Sequence, residues 1–450
     1  MNMLEKRVRA LNRLLPVAKR PVVYWMQRAQ RGRCNAALDH AIDLASVHGA
    51  GLWVLFVLDA GFPGANSRHF TFLLEGLQDV RNDLRQRGIP FVVRFGALKQ
   101  TVLSSLDDAG IVVCDEHPEP FGRALRAAVG ASVACTAVAV EADSVIPPAI
   151  LADHAHIGAR SIRPALHRGF PDWLHLESER ELRGPAGTPP WPEFESIDAG
   201  TWMKRSGMEM LPDVSRFFRG GHSEAKIRLK NFIETSLNDY HENHNRADLD
   251  SGSKLGPYLH FGHIGPLEVA TQCLASGVAG PGLDAFIEQV IVRRELAVNA
   301  AWFLSGYGTP GMVPEWAKRT LDEHAADWGE TISPADLEAG NTPDPAWNAA
   351  MLDMKTRGTL HNYMRMYWGK RVLFWSPSWR EGFSTLLRLN DRYLLDGRDP
   401  NGTAGVAWVF GLHDRPFPRR PVFGAVRSMT PGGLARKFDV NAYIQMVSHH

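Results

Sequence analysis

A short loop of acidic, small and basic residues precedes a segment that begins with Pro257. It runs Asp250-Ser-Gly-Ser-Lys-Leu-Gly256. Backbone N–H groups at the start of a helix are unpaired, and the helix dipole favours negative charge there. Small residues let such a loop close around an anion. The sequence therefore predicts a phosphate-binding loop at residues 250–256, although many loops that precede helices have a similar composition.

Three tryptophans, Trp347, Trp368 and Trp375, lie in one later stretch of the chain. Trp368 and Trp375 are seven residues apart, so they fall on one face of a helix. A tryptophan is usually buried, and each of them taken alone is most simply a core residue. Polar residues accumulate in the same stretch: His361, Asn362, Arg365 and Asp396. This accumulation favours a functional site over a plain core.

The segment around Trp347 has start and stop signals of a helix. Asp344 suits the N-cap, Pro345 the first helical position and Gly358 the residue just past the end. A second helix is predicted over residues 359–375. We expect these two helices to carry the three tryptophans side by side.

A further helix is predicted from Phe286 to Phe303. Glu288 and Glu295 are seven residues apart and are expected on one face of it, with Arg293 and Arg294 beside them. Surface ion pairs of small energetic worth are an equally good interpretation of this pattern.

Metal and disulfide chemistry have little support in the sequence. The four cysteines are far apart, and no CxxC or HExxH pattern occurs. The turn that begins at Asp396 is not an EF-hand loop, because its twelfth position is Ala407 rather than glutamate. We predict that the protein binds no metal.

Overall charge does not indicate a nucleic-acid partner, since the formal net charge is +1. Residues 411–440 form a local basic run, for which a solvated surface is the simpler alternative. Its charged members are Arg415, Arg419, Arg420, Arg427, Arg436 and Lys437, against Asp414 and Asp439.

The 450 residues are enough for two or three domains. We predict an N-terminal extension (1–20), an α/β domain with a parallel sheet (21–142), a proline-rich connector (143–215) and a helical domain (216–450). The α/β domain follows from short β-branched runs that alternate with helical patterns. No apolar run reaches the roughly 18 residues of a membrane span, and no secretion signal is present. A cytoplasmic monomer is expected.

Several segments, in the same order along nearly the whole chain, resemble the class II cyclobutane pyrimidine dimer photolyases. These are light-driven DNA repair flavoproteins of the photolyase/cryptochrome family. The matching segments are GARSIRPALH (158–167), SKLGPYLHFGHIGP (253–266), VRRELAVN (292–299), DPAWNAAM (344–351), LHNYMRMYW (360–368), LNDRYLLDGRDPNG (389–402), GLHDRPFPRRPVFGAVRSM (411–429) and RKFDVNAYI (436–444).

The resemblance implies an N-terminal α/β domain with a Rossmann-like parallel sheet and an all-helical domain that binds FAD. It implies repair of cyclobutane pyrimidine dimers by electron transfer from photoexcited, reduced FAD to a dimer flipped out of the DNA. The family also places a second, antenna chromophore in the α/β domain, whose identity in this chain stays open.

The resemblance also implies the residues of the cofactor site. The loop would hold the FAD diphosphate, Arg365 and Asp396 would form an ion pair near the isoalloxazine ring, and Asn390 would lie near flavin N5. The full set is Tyr240, Ser251, Gly252, Ser253, Lys254, Leu255, Arg294, Asn362, Arg365, Asn390, Asp396, Asp399 and Asn401.

Catalytic and substrate residues follow from the same resemblance. Trp347, Trp368 and Trp375 match a tryptophan chain that keeps the flavin reduced, and Glu295 matches a partner of the lesion. Residues expected to bind the damaged DNA are Glu295, Met366, Trp408, Trp302, Arg415 and Arg427.

Three departures from the family pattern stand out. Gly256 replaces a serine, Ala300-Ala301 replace aromatic residues, and Phe417 replaces a tryptophan. Two other functions remain as alternatives. One is a cryptochrome-like blue-light photoreceptor without repair activity, and the other is repair of the (6-4) photoproduct, which would need histidines at the lesion.

Overall fold

The structure, a computed structural model, describes residues 3–327 and 329–449. It contains a six-stranded sheet in the order β1-β6-β5-β2-β3-β4. Every neighbouring pair is parallel except β1 with β6. The strands are β1 (Val8–Ala10), β2 (Val22–Trp25), β3 (Leu52–Leu58), β4 (Phe91–Phe95), β5 (Ile111–Asp115) and β6 (Thr136–Val140).

The central strands are apolar on both faces, which is why helices cover the sheet on both sides. Tyr24 and Phe56 pack into one core cluster. Trp25 follows Tyr24 directly, and Trp53 lies three residues before Phe56, so both point to the opposite face and pack into the other cluster. The helices of this part are α1 (Met3–Lys6), α2 (Ala36–His48), α3 (Ser67–Gln86), α4 (Leu98–Ser105) and α5 (Pro120–Ser132).

The predicted N-terminal extension contributes a strand, Val8–Ala10, to the edge of the sheet. Val8 pairs with Val140 and Ala10 with Val138 in antiparallel register. A strand of three residues is too short to produce a recognisable alternation of polar and apolar residues.

The predicted connector, residues 143–215, contains regular structure. Its helices are α6 (Pro148–Leu151), α7 (Ala159–Trp173) and α8 (Ala199–Arg205). Between α7 and α8 the chain runs along the sheet: Gly187 N donates to Leu52 O over 2.9 Å. Trp191 packs against Trp53, with ring centroids 6.0 Å apart. The connector therefore also covers the sheet.

The remaining chain is helical. Its helices are α9 (His222–Thr235), α10 (Tyr240–Asn243), α11 (Gly256–His260), α12 (Pro266–Leu274), α13 (Pro281–Ile287), α14 (Arg294–Phe303), α15 (Glu315–Glu323), α16 (Pro334–Ala339), α17 (Pro345–Arg357), α18 (Asn362–Trp375), α19 (Trp379–Tyr393), α20 (Pro400–Val409), α21 (Pro431–Ala435) and α22 (Val440–Ser448); 3₁₀ turns occupy Pro310–Met312 and Ala325–Asp327. The predicted combination of a parallel α/β part and a helical part is confirmed. Among the described residues, no helix combines the length and apolar character needed to cross a bilayer.

The predicted helix over residues 286–303 is not regular. A π-helical segment, Glu288–Arg293, joins α13 to α14. A π-helix has more residues per turn than an α-helix. Side chains after it therefore lie on different faces from those that a 3.6-residue period predicts. This irregularity decides where Arg293, Arg294 and Glu295 point.

Candidate active site

Trp347 lies between the other two tryptophans of the predicted chain. Its ring is stacked on Trp368, with centroids 6.3 Å apart and planes at 14°. It meets Trp375 edge to face, with centroids 5.6 Å apart. All three are buried. The guanidinium of Arg371 lies over Trp375, 4.1 Å from the ring centroid. The three indoles thus form one continuous contact chain, with Trp347 in the middle.

Local capping explains how Trp347 reaches this position. The Asp344 carboxylate accepts from Trp347 N over 3.1 Å and caps α17, and Gly358 ends the helix with a φ of 72°. Asp344 also accepts a hydrogen bond from Tyr367 of α18, and it pairs with Arg371 over 3.3 Å. The predicted start and end of this helix are confirmed. One carboxylate therefore fixes α17 against α18, which sets the two tryptophan helices side by side.

Arg365 and Asp396 form an ion pair. Arg365 Nη2 donates to both carboxylate oxygens, over 2.8 and 3.0 Å. The loop glycine Gly256 lies against this pair: a Cβ atom there would come within 2.8 Å of Asp396 Oδ2. The absence of a side chain at Gly256 is therefore what lets the predicted phosphate loop approach Asp396.

Asn390 is fully buried, and only one end of its amide is paired. Its Nδ2 donates to Asp391 Oδ1 over 2.9 Å, whereas its Oδ1 has no partner among the described residues. Gly402 lies close by, since a Cβ there would be 3.2 Å from Asn390 Nδ2. The amide therefore presents a buried acceptor beside the turn that carries Asp396.

Asp399 caps α20 and connects it to the α11 segment. Its Oδ1 accepts from the backbone and side chain of Asn401, over 2.8 and 3.0 Å. Its Oδ2 lies 3.3 Å from His260 Nδ1. Burial alone would raise the pKa of Asp399, but the His260 hydrogen bond and the positive charges of Arg294 and Arg28 hold it well below its usual value. Asp399 is therefore a fixed negative charge.

The predicted phosphate loop adopts a strained backbone at two positions. Asp250 and Lys254 have φ values of 48° and 56°, in the left-handed region that non-glycine residues rarely enter. Lys254 Nζ donates to Asp250 Oδ2 over 2.6 Å. Ser251 Oγ is buried without a partner among the described residues. Tyr240 stacks on His244 nearby in the chain, and burial raises the pKa of Tyr240 to about 12.

Several predicted site residues carry buried polar atoms with no hydrogen-bond partner in residues 3–327 and 329–449. They are Ser251 Oγ, Arg294 Nε and Nη1, Glu295 Oε2, Arg365 Nε, Trp368 Nε1 and Asn390 Oδ1. Buried polar groups in native proteins are nearly always paired. A concentration of unpaired donors and acceptors among these residues fits a large polar cofactor such as FAD.

Trp408 is half-buried on α20. The guanidinium carbon of Arg293 lies 5.4 Å from its ring centroid. Arg293 also approaches Glu288, with Nε 3.3 Å from Oε1. Nothing in the sequence predicted this contact, because the π-helical segment sets the direction of Arg293. Met366 is partly buried against the tryptophan core.

Glu295 is a buried carboxyl on α14. Its Oε1 accepts from Val145 N over 2.9 Å, and the residue is 1% exposed. Burial raises the pKa of Glu295 to about 7, opposed by the Val145 hydrogen bond and the charge of Arg294. Both carboxylates contact the connector, because Glu288 pairs with Arg163 of α7 and Oε1 of Glu295 binds Val145 N. The other oxygen of Glu295, Oε2, is buried and has no hydrogen-bond partner among the described residues. That Glu288 and Glu295 share a face stays a prediction.

Trp302 contacts the α/β part of the protein. Arg123 of α5 lies over its ring at 5.2 Å from the centroid, and Arg123 Nη1 donates to Trp302 O over 2.9 Å. Asn362, the first residue of α18, is exposed. The structure thus does not bring these two side chains together with Asn390 or Trp408 through any described contact.

Phe417 lies between two of the exposed arginines of the basic run. The guanidinium carbons of Arg415 and Arg427 are 6.0 and 5.8 Å from its ring centroid. The Phe417 backbone N–H donates to Ala425 O over 2.8 Å. This smaller ring therefore still organises two cations on one surface.

A cavity of about 670 Å³ lies between the sheet and the helical part. It opens at the carboxyl ends of β2, β3 and β5, where parallel α/β sheets usually bind ligands. Its lining combines residues of both parts, among them Trp25, Phe62, His117, Tyr307, Asp391 and Arg398. Asp391 lines this cavity and accepts a hydrogen bond from Asn390. The cavity is therefore close to the unpaired Oδ1 of Asn390.

Comparison with known proteins decides the family. A model of the DNA photolyase family matches residues 22–177. The deoxyribodipyrimidine photo-lyase of Methanothermobacter thermautotrophicus is 38% identical, over 95% of this chain and 94% of the relative. The chain belongs to the DNA photolyase family. The deoxyribodipyrimidine photo-lyase of Arabidopsis thaliana is 34% identical, over 95% of this chain and 88% of that relative. The family resemblance seen in the sequence is confirmed.

Solved structures show the photolyase fold. A bacterial class III photolyase from Agrobacterium tumefaciens superposes with a TM-score of 0.73 at 19% identity, covering 96% of this chain and 87% of the other. A cryptochrome from Synechocystis superposes with a TM-score of 0.73 at 14% identity, covering 96% and 89%. At these identities the likeness concerns the fold of this photolyase, which repair enzymes and cryptochromes share.

Proposed function

We propose that this photolyase repairs cyclobutane pyrimidine dimers in DNA, using light and bound, reduced FAD. Relatives named deoxyribodipyrimidine photo-lyase support the dimer as substrate. The observation that carries the cofactor part is the group of unpaired buried polar atoms on Ser251, Arg294, Arg365 and Asn390. The restriction to cyclobutane dimers rests on the sequence resemblance to class II enzymes.

The proposed cofactor site extends from the loop at residues 250–256 to the turn at Asp396. Ser251 and Lys254 would bind the diphosphate, while Arg365, held by Asp396, would face the isoalloxazine ring. Asn390 would accept a hydrogen bond from the N5–H of the reduced ring, because Asp391 already holds its Nδ2. When bound, reduced FAD would supply the light-excited electron that opens the cyclobutane ring and would receive it back.

The residues of the chain have three other tasks in this proposal. Trp368, Trp347 and Trp375 relay electrons inward from the protein exterior. Trp408 offers a flat wall that replaces the stacking lost when the dimer leaves the duplex, where its bases are already poorly paired. Arg415 and Arg427 would bind phosphates and position the DNA without reading its sequence.

The reaction itself is redox-neutral. One electron enters the dimer, the two carbon–carbon bonds that join the pyrimidines break, two ring double bonds re-form, and the electron leaves. No atom is added or lost. The protein therefore needs a bound electron donor, a dry pocket and a way to hold the dimer against it.

The inter-domain cavity is the proposed place of an antenna chromophore. Its apolar walls suit a planar ring system, and the buried guanidinium of Arg398 suits an anionic group on it. Burial lowers the pKa of Arg398 to about 10, which still leaves the side chain cationic at neutral pH. The identity of the chromophore is left open.

The test uses two oligonucleotide duplexes of equal sequence, one with a cyclobutane thymine dimer and one with a (6-4) photoproduct. Purified protein with reduced FAD is illuminated with blue light, and restored thymines are quantified by chromatography. We expect restoration of the cyclobutane dimer only. Repair of the (6-4) product instead would assign the other lesion, and repair of neither would favour the photoreceptor alternative.

A further inference from the structure

Two consecutive arginines of the helical domain point to different surroundings. Arg293 lies over Trp408. Arg294 Nη2, by contrast, lies 3.5 Å from Leu259 O, and the positive charge of Arg294 helps to lower the pKa of Asp399. They are separated at the exact junction of the π-helical segment with α14. Segments of this kind are frequent at functional sites, and here one delivers a cation to the wall of the proposed substrate pocket.

The Glu288 carboxylate contacts Arg293 but leaves the terminal nitrogens of Arg293 free to donate hydrogen bonds. Glu288 accepts from Arg163 Nη2 and Nε over 2.8 and 3.1 Å, one oxygen each. It is therefore committed to Arg163 in a bidentate pair, and it reaches Arg293 only through the longer 3.3 Å contact with Nε. In the described part of the chain, no hydrogen bond involves the two terminal nitrogens of Arg293, whose side chain is 34% exposed.

The other charged or titratable groups near Arg293 do not compensate its positive charge. Arg163 and Glu288 neutralise one another. His413, from the loop after α20, is neutral at pH 7, because burial lowers its pKa to about 4. Arg293 is thus a net cation, and its guanidinium carbon lies within the distance of a cation–π contact from the Trp408 ring.

A pyrimidine dimer is recognised by different chemistry from an intact base. Its C5–C6 bonds are saturated, so its rings are puckered and stack poorly, while its carbonyl oxygens stay strong acceptors. Those oxygens become accessible to protein donors when the dimer is extruded and no longer faces the opposite strand. A guanidinium carries paired N–H donors in a rigid plane, which suits two neighbouring carbonyl oxygens.

We propose that Arg293 is a specificity-determining residue that donates hydrogen bonds to the base carbonyl oxygens of an extruded pyrimidine dimer lying against Trp408. This inference rests on the proposed function. It adds Arg293 to the residues that the resemblance implies at the lesion, among them Glu295, which has one carboxyl oxygen on Val145 N and the other without a partner among the described residues. Trp408 supplies the apolar wall and Arg293 the polar contact.

The experiment measures Kd for a duplex with one thymine dimer and for the undamaged duplex, in the dark and at several salt concentrations. Arg293→Met keeps an apolar stem over Trp408 and removes the donors. Arg293→Lys keeps the charge beside Glu288 and removes the planar fork. Arg415→Met is the reference for a phosphate contact. The FAD content and Tm of each variant show whether its fold is retained.

We expect Arg293→Met and Arg293→Lys each to weaken binding of the damaged duplex about 10- to 100-fold, with undamaged binding and the salt dependence nearly unchanged. A phosphate contact would behave differently: Arg293→Met would weaken both duplexes alike and reduce the salt slope by about 1, as expected for Arg415→Met. Arg293→Lys would then bind like the wild type. That result would overturn the inference.

Failure of the proposed function would look different again. A wild-type protein that holds FAD but has no preference for the damaged duplex would contradict both proposals. A wild-type protein that prefers and repairs the dimer, with Arg293 variants that do the same, would contradict only the role of Arg293.

Discussion

Trp347 stacks on Trp368 with an angle of 14° between the rings, and its indole N–H donates to the Trp368 carbonyl oxygen over 3.0 Å. Because Trp347 also meets Trp375, it is the middle member of the chain. We expect Trp347→Phe to lose most of the light-driven reduction of oxidised FAD, since phenylalanine is much harder to oxidise than tryptophan. The measurement is the absorbance of oxidised flavin during blue illumination with an external reductant.

Two comparisons make this prediction specific. Repair by Trp347→Phe protein reduced chemically beforehand should stay close to wild type, because the chain only restores the reduced state. Trp191→Phe, at a tryptophan that packs on Trp53 away from the chain, should photoreduce normally. Normal photoreduction in Trp347→Phe would refute the assigned path.

Removal of the proposed lesion wall should discriminate between DNA substrates. Trp408→Ala deletes the flat ring against which the extruded dimer is proposed to lie. Binding of dimer-containing duplex should weaken roughly 10- to 100-fold, the range of one lost base-stacking contact. Binding of undamaged duplex should change little. Equal weakening of both in an equilibrium binding assay would remove Trp408 from the lesion pocket.

The glycine beside Asp396 should favour cofactor binding in this chain. Gly256→Ala places a Cβ atom 2.8 Å from Asp396 Oδ2, so either the loop or the Arg365–Asp396 pair must shift. We expect FAD to bind roughly tenfold more weakly, a loss of about 1.4 kcal/mol, as measured by flavin fluorescence titration. Gly432→Ala is the matched control, because a Cβ atom there meets nothing within 4 Å. Unchanged FAD affinity in Gly256→Ala would show that this approach is not needed.

The buried carboxyl of Glu295 should make stability depend on pH. Burial raises its pKa from 4.5 to about 7. Between these values the folded protein retains a proton that the unfolded chain releases, so this contribution is full below pH 4.5 and is lost as pH rises to about 7. Glu295→Gln cannot titrate there. The wild type should lose roughly 1–3 kcal/mol relative to the variant between pH 5 and 8.

The check is the difference in Tm between wild type and Glu295→Gln across that pH range. The variant is a close isostere and retains an acceptor for Val145 N, so the comparison isolates ionisation. A Tm difference that does not change with pH would mean that Glu295 carries no proton in the folded protein at pH 5.

Capping residues made the tryptophan helices predictable. Asp344, Pro345 and Gly358 act through local backbone geometry, and local signals are fully contained in the sequence. The position of Trp347 between Trp368 and Trp375 was not predictable in the same way. It depends on how α17 and α18 cross, which is set by packing and by the shared Asp344 carboxylate.

The contact of Arg293 with Trp408 was unpredictable for a different reason. A spacing of seven residues places two side chains on one face only if the helix keeps 3.6 residues per turn. The π-helical segment Glu288–Arg293 breaks this condition, and nothing in its residue types reveals it. The Arg293 side chain, at the end of this segment, lies over Trp408, a contact that the sequence pattern does not predict.

The most direct test of the central claim is repair of a thymine-dimer oligonucleotide by FAD-loaded, pre-reduced wild-type protein, in blue light and in the dark. Restored thymines are counted by chromatography, with the FAD content measured in the same sample. The account predicts repair in the light and none in the dark. Absence of repair in the light, from protein that holds FAD and photoreduces it through its tryptophans, would contradict the repair function and leave the photoreceptor alternative.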